Sequence, residues 1–369
     1  MEHTDVVVIG GGIIGSSAAY FLAKKATDLI LLDKAEIGRE ASGSTAGTMS
    51  YQNKKLKLIP LVMESQSVWR SLQRELDTDI EYRQPGGLRV AESSAQEAKL
   101  KRDVESQRAL GVEVEILGKE ELKRVAPYLG DSVRAASFCA RDAKANPLKA
   151  SRALAAAAAA RGARVLENEA VTAIGIEGRR RFIVRTERGE YSCRAVLNCA
   201  GVWARDIFTM LGLDAPITLD TMQVQVSEPV PKPFPHIITH VEGHLTLKHV
   251  DSGNVVIGGG WRGIGDARKN IKLVDYESMH GNLQAAGRII PLLRQLNIIR
   301  CWSGLEGRTP DFFPLLGSLK SHPGFYSACC TKGGFTLGPF LGKMQAELIT
   351  SGKTPFPLGE FDVNRVFRD

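Results

Sequence analysis

Residues 6–33, VVVIGGGIIGSSAAYFLAKKATDLILLD, constrain the fold more than any other stretch of the chain. Val6 to Ile9 is an unbroken apolar run, the pattern of a parallel strand buried on both faces. Gly10-Gly11-Gly12 makes a turn, and Ile13 to Ala26 carries Ile14, Ala18, Tyr20 and Leu22 near helical spacing. Leu29 to Leu32 is a second apolar strand, closed by Asp33. Strand, helix and strand within about 30 residues predict an α/β domain of the Rossmann type.

Gly10-x-Gly12-x-x-Gly15 has the spacing of a dinucleotide turn. The first glycine makes the tight turn, the second lets backbone approach a pyrophosphate, and the third lets helix pack on strand. The phosphate would rest where Ile13 and Ile14 open the helix, because free N–H groups and the helix dipole favour an anion there. Asp33, with Lys34 beside it, closes the second strand, where a carboxylate accepts from ribose hydroxyls and repels a 2′-phosphate. The spacing alone is weak evidence. Its place between strand and helix, with an acid after the next strand, makes it strong.

At 369 residues the chain is longer than one hydrophobic core comfortably serves, which predicts two domains or interleaved lobes. The net charge of +7 is scattered, with short basic clusters at 54–57 and 179–181 and no aromatic-interleaved stripe, so nucleic-acid binding is not expected. None of the six cysteines stands in a CxxC or zinc-like spacing, so free thiols and no metal site are expected. No run of about 18 apolar residues occurs, which predicts no membrane span. The opening MEHTDVVVIGGG lacks a basic-then-apolar leader, so a cytoplasmic location is expected.

Further along, a polar Gly/Ser/Thr loop occupies 38–50, and helices are expected near 55–75 and 94–111 with the strand GLRVA (87–91) between them. Asn146-Pro147 opens an Ala-rich helix to about residue 160. Strands follow through 164–200, and 216–260 is β-rich, with a hairpin turn near Asp251–Asn254. Helix returns over about 276–293 and at the C-terminal KGGFTLGPFLGKMQAELIT. The stretch WSGLEGRTPDFFP (302–314), punctuated by Gly and Pro, reads as a stiff loop carrying Glu306 and Arg308 among aromatics. Chain order thus predicts a nucleotide domain made from both ends and a β-rich domain made from the middle.

Four later motifs extend the first. Asn198-Cys199-Ala200-Gly201-Val202-Trp203 follows an apolar strand, and Val255-Val256-Ile257 ends in Gly258-Gly259-Gly260. Trp302, Gly304, Thr309, Asp311, Pro314 and Gly317 form a spaced set, followed by Gly333-Gly334-Phe335-Thr336-Leu337-Gly338-Pro339. In this order the motifs resemble those of the FAD-dependent D-amino-acid oxidase and glycine oxidase superfamily. The resemblance implies an FAD-binding domain of discontinuous segments (1–80, 145–215 and 300–369) and a mixed-sheet substrate domain (81–144 and 216–299).

It also implies roles. Ser42, Gly43, Ser44, Ala46 and Gly47 would pass beside the flavin and pyrophosphate, unless they form a plain surface loop. Val171 would lie against adenine, and Ala200, Gly201, Trp203 and Gly304 would complete the cleft. The turn Lys332-Gly333-Gly334, with Phe335 and Thr336, would aim donors at the flavin edge where reduction builds negative charge. Lys332 would either add a cation there or face solvent. The FAD is expected to be non-covalent, since RDAKANPLKA offers no histidine as a tether. The reaction implied is removal of a hydride equivalent from carbon next to an amine nitrogen. Of the clustered histidines His236, His240, His244 and His249, His244 is the one expected nearest the active site.

One position departs from the pattern. Many amine oxidases of the superfamily carry an Arg for the substrate carboxylate where this chain has Glu306. A carboxylate there would repel an amino acid's carboxylate and suit a cationic group such as a guanidinium; alternatively it is a structural salt-bridge partner. Arg308 would hold a carboxylate if it turned inward. The chain resembles in particular the beta subunits of heteromeric dye-linked dehydrogenases, above all those of the opine oxidases, and those acting on proline, hydroxyproline and sarcosine. That implies an arginine opine (octopine or nopaline) or a proline-type amine as substrate, with a stand-alone glycine or D-amino-acid oxidase as the alternative. It also implies an alpha-subunit partner, joined in some complexes of this kind by a small iron–sulfur subunit, with any FMN or iron–sulfur centre held with or by those partners. Through them the protein could also be peripheral at the inner membrane.

Overall fold

The computed structural model describes residues 1–178, 181–231, 234–329 and 333–367. The chain opens with β1 (Glu2–Ile9), α1 (Ile13–Ala23), β2 (Leu29–Leu32), a short α2 (Ala41–Ser44) and β3 (Thr48–Met49). Then come α3 (Ile59–Glu75), β4 (Gly87–Ala91), α4 (Ser94–Ala109), β5 (Glu115–Gly118), α5 (Lys119–Val125), β6 (Ala135–Cys139) and β7 (Ala143–Lys144). They lead into α6 (Pro147–Ala159), β8 (Arg164–Leu166), β9 (Val171–Glu177), β10 (Arg181–Thr186), β11 (Glu190–Asn198) and α7 (Ala204–Thr209). The β-rich stretch is β12 (Thr218–Pro229), β13 (Ile237–His240), β14 (Thr246–His249), β15 (Asn254–Gly258), β16 (Ile264–Asp266) and β17 (Ile271–Leu273). The chain finishes with α8 (Tyr276–Ile289), β18 (Ile298–Arg308), β19 (Leu315–Ser318), β20 (Phe325–Cys329) and α9 (Gly334–Ser351).

Helix starts follow local chemistry. Ser93 and Gln96 form a reciprocal capping box at α4, and the Asn146 side chain caps α6 just before Pro147. Asp275 accepts from two backbone N–H groups at the start of α8.

The strands sort into two large sheets. The first runs β19-β20-β11-β1-β2-β8, with β10 and β9 added on β11. Its centre is parallel: β1 lies between β2 and β11, with Val6 to Ile9 opposite Leu29 to Leu32 on one side. These residues are almost wholly buried because α1, α6 and α9 cover one face and a second apolar cluster around Phe182, Phe208 and Phe325 covers the other. Helix α1 packs closely on α9, where Gly338 and Gly342 face Ile13 and Ser17–Ala18.

The second sheet has eight strands in the order β18-β12-β15-β14-β13-β4-β6-β5. Here the structure departs from the sequence reading twice. Residues 298–308 are a strand rather than a loop, paired along β12 from Ser227 opposite Ile298 to Thr218 opposite Arg308. The strand therefore belongs to the β-rich sheet, whereas the motif order predicts 300–308 among the FAD-binding segments. Its glycines look like loop residues but mark close approaches. A Cβ on Gly304 would lie 2.5 Å from that of Ser44, and one on Gly307 would lie 2.8 Å from the Val202 Cα. Only 309–314 remains a loop, tied by the Thr309 hydroxyl to Asp311 and by Arg365 to Asp311.

Candidate functional site

The dinucleotide turn sits where β1 ends, and its glycines have no room for side chains. Gly10 has φ +102°, and a Cβ there would lie 2.6 Å from the Cys199 carbonyl oxygen. On Gly15 it would run into the Gly10 carbonyl. On Gly12 it would lie 2.8 Å from Ser42 Oγ, which itself accepts the Ile13 N–H at 2.9 Å. Asp33 accepts from Gly11 N at 2.6 Å and from Ala35 N at 2.8 Å. Burial pushes its carboxyl up to about 6, against the pull of those two backbone donors. Lys34 lies 3.1 Å over the Trp203 ring and 3.6 Å from Glu40; burial lowers its pKa.

From this turn a cavity of about 880 Å³ runs beneath the second sheet, at the upper end of the usual range for cofactor sites. Glycines that admit backbone approach, a helix N-terminus and a carboxylate after the second strand are what the ADP half of FAD needs. The start of α9 forms the far wall of the cavity. It is held by α3, where Ser65 Oγ and Trp69 Nε1 donate to the Thr336 carbonyl at 2.7 and 3.0 Å. The Trp302 indole fixes β18 to the α2 loop by donating to Ser44 O at 2.9 Å.

The expected residues fall in three places. Gly10, Gly12, Ile13, Ile14, Asp33, Lys34, Ser42, Ser44, Ala46, Val171, Ala200, Gly201, Trp203, Gly304 and Gly333 to Thr336 line the cavity, and so does Glu306. Gly15, Gly43 and Gly47 stand just behind its wall, where they permit close backbone contacts. Lys332 lies outside the described residues.

His244 and Arg308 do not line the cavity. The His244 ring stacks on that of His240 at 3.9 Å, and its carbonyl accepts from Trp261 Nε1 at 2.6 Å. The hairpin turn after β13 thus directs it away from the cavity, and burial lowers its pKa. Glu92, His240 and His244 come together, but His240 Nδ1 accepts the Glu242 N–H, so neutral His240 carries its proton on Nε2, facing Glu92 at 3.4 Å. Arg288 already grips Glu92 with two nitrogens at 2.6 and 3.0 Å. Arg308 is held at 3.4 Å from Asp220 and lies over the Phe312 ring.

The structure also supplies residues that the sequence reading missed. Arg89, Gln107 and Thr239 line the cavity, as do Met222, Val224 and Thr246. Arg89 had a signal: it is the one charged residue in the apolar strand GLRVA. Lys248 is buried against the Gly47 loop, and burial pushes its ammonium down to about 7, with Lys144 acting in the same direction and Glu81 opposing.

Known proteins are similar to this chain over nearly its whole length. Mouse mitochondrial dimethylglycine dehydrogenase is 26% identical over 99% of this chain but only 44% of its own length. The chain thus spans less than half of that relative. The opine oxidase B chain of Rhizobium meliloti is 26% identical over 99% of this chain and 98% of its own. The crystal structure of L-proline dehydrogenase from P. horikoshii superposes with a TM-score of 0.91 at 29% identity, covering 99% of this chain and 98% of that one. The family model for FAD dependent oxidoreductases of the DAO type matches residues 5–348, from the first strand to near the end of α9, and to that family the chain belongs.

Proposed function

We propose that the chain oxidises the C–N bond of a secondary amine, as the catalytic beta subunit of a heteromeric complex. Bound FAD would supply the acceptor for the hydride equivalent. The protein's own part is binding and orientation. Met222, Val224 and Leu305 give the cavity apolar walls, which favour an amine in its neutral, oxidisable form. The product imine would then hydrolyse in water to an amine and a carbonyl compound, which for an opine is a 2-oxo acid.

The observation that carries the finer reading is Glu306, half-buried on β18 and lining the cavity. A carboxylate at that place favours a substrate with a cationic group, which supports an arginine opine such as octopine or nopaline, giving arginine and a 2-oxo acid. The Rhizobium relative is one subunit of an opine oxidase, which supports an alpha-subunit partner. A proline- or hydroxyproline-type amine is the second reading, favoured by the likeness to an L-proline dehydrogenase. Electrons would pass to the partner, and a cytoplasmic location goes with this reading.

The test is anaerobic mixing of the FAD-loaded chain with octopine, nopaline, D-hydroxyproline, proline and sarcosine, following loss of flavin absorbance. Fast bleaching by an arginine opine, slowed about 10- to 100-fold by Glu306→Gln, is the expected result. Bleaching by proline alone, indifferent to Glu306, would make that residue structural. No reduction by any amine would defeat the amine reading itself.

A further inference from the structure

The second sheet carries a continuous row of cross-strand neighbours, most of which face the cavity. Thr246 on β14 pairs with Thr239 on β13, Thr239 with Arg89 on β4, and Arg89 with Ser137 on β6. Residues paired in register point to the same face. Thr246, Thr239 and Arg89 all line the cavity, and Gln107 reaches it from α4, which packs over this end of the sheet.

Three side chains at this end carry unspent hydrogen-bonding capacity. Arg89 is 5% exposed, and Thr239 and Gln107 are 2% exposed each. Two guanidinium nitrogens of Arg89 are engaged, Nη1 with Asp103 at 2.8 Å and Nη2 with the Val241 carbonyl at 2.9 Å. Its Nε, the Thr239 hydroxyl and Gln107 Oε1 have no partner among the described residues. Leaving a buried polar atom unpaired costs about 1–3 kcal/mol, more beside a charge, so the two donors, Arg89 Nε and the Thr239 hydroxyl, need an acceptor. The local charge is positive. Asp103 is shared between Arg89 and Lys99, the latter also at 2.8 Å, which leaves one cation in excess. Glu242 also borders the cavity here, but it is exposed on the turn.

We infer that Arg89 and Thr239, with Gln107 at the border, form an anion subsite that takes the carboxylate of the substrate. This deepens the amine-oxidation reading and rests on it. Arg89 Nε and the Thr239 hydroxyl donate to the carboxylate, and the excess cation compensates its charge. Gln107, whose amide nitrogen is spent on the Gln52 carbonyl, sets the edge of the recess. The assignment also resolves a gap. With Glu306 standing where many members of the superfamily carry an Arg, and Arg308 held on Asp220, neither position offers a cation to a substrate carboxylate.

The experiment titrates FAD-loaded protein with acetate, pyrrole-2-carboxylate and pyrrolidine, an amine without a carboxylate, reading dissociation constants from flavin absorbance. Arg89→Gln is expected to weaken pyrrole-2-carboxylate about 100-fold, and Thr239→Val and Gln107→Glu about 10-fold each, with pyrrolidine unchanged. Thr239→Val keeps the side-chain shape and Gln107→Glu the length, so the test survives if Arg89→Gln fails to fold. Wild-type affinities in Thr239→Val and Gln107→Glu, equal losses for pyrrolidine, or no carboxylate binding by the wild type would each overturn the subsite. Arg89-dependent carboxylate binding without flavin reduction by any amine would uphold the subsite and defeat only the amine reading.

Discussion

A single histidine shows how burial decides what a residue can do. His240 is fully buried and faces His244, Glu92, Arg288 and Arg89. Burial, followed by the neighbouring His244, lowers its pKa from 6.5 to about 4, with Glu92 opposing. The unfolded chain binds a proton here between these values and the folded chain does not. This group therefore leaves stability untouched above about pH 6.5 and subtracts from it progressively as pH falls towards 4, by up to about 3 kcal/mol. His240→Leu is expected to be less stable at neutral pH, having lost the acceptor for the Glu242 N–H, yet to lose less stability on acidification. Denaturant midpoints of both proteins between pH 7 and 4 check this. Parallel pH curves would show that His240 titrates normally.

Elements show the same contest between local preference and packing. In an exposed helix, Gly→Ala gains about 1 kcal/mol of helix propensity. Gly342 on α9 is not exposed: a Cβ there would lie 2.5 Å from Ser17 Cβ and 2.6 Å from the Ala18 backbone nitrogen of α1. Overpacking of this kind costs about 1–3 kcal/mol, so Gly342→Ala should destabilise, as thermal unfolding of the two proteins would show. A gain in stability would mean that the helices separate freely. The same logic explains what can be read from sequence. The βαβ opening is legible because its signals are local: an apolar run, glycines at fixed spacing, an acid after the second strand. Strand β18 is not, because Gly304 and Gly307 serve contacts with Ser44 and Val202, residues at least 100 positions away in the chain. Likewise the place of His244 near a glycine-rich strand end points it to the cavity, and only the turn that stacks it on His240 decides otherwise. Arg89 stands plainly in an apolar strand, but its meaning depends on Thr239 beside it, placed there by strand pairing.

At the scale of the whole molecule, the two sheets are built from interleaved stretches of chain. The first uses β1, β2, β8 to β11, β19 and β20, and the second uses β4 to β6, β12 to β15 and β18. Neither can be excised as one continuous segment, so each depends on the other for its connections. The cavity is lined from both: Gly10, Gly12 and Asp33 follow strands of the first sheet, while Val224, Thr246 and Glu306 belong to the second. A ligand that fills it touches both sheets, and a ligand binding only the folded form stabilises by about 2.7 kcal/mol at a hundred times its dissociation constant. FAD should therefore slow amide hydrogen exchange in β1 and also in β18 and β14, and Asp33→Ala should diminish both effects together by weakening the cofactor's hold at the ribose end. Protection confined to the first sheet would place the cofactor wholly within the nucleotide fold and detach Glu306 from it. Protection of both would make the second sheet part of the flavin site, which is the position from which Glu306 and Arg89 can act on a substrate.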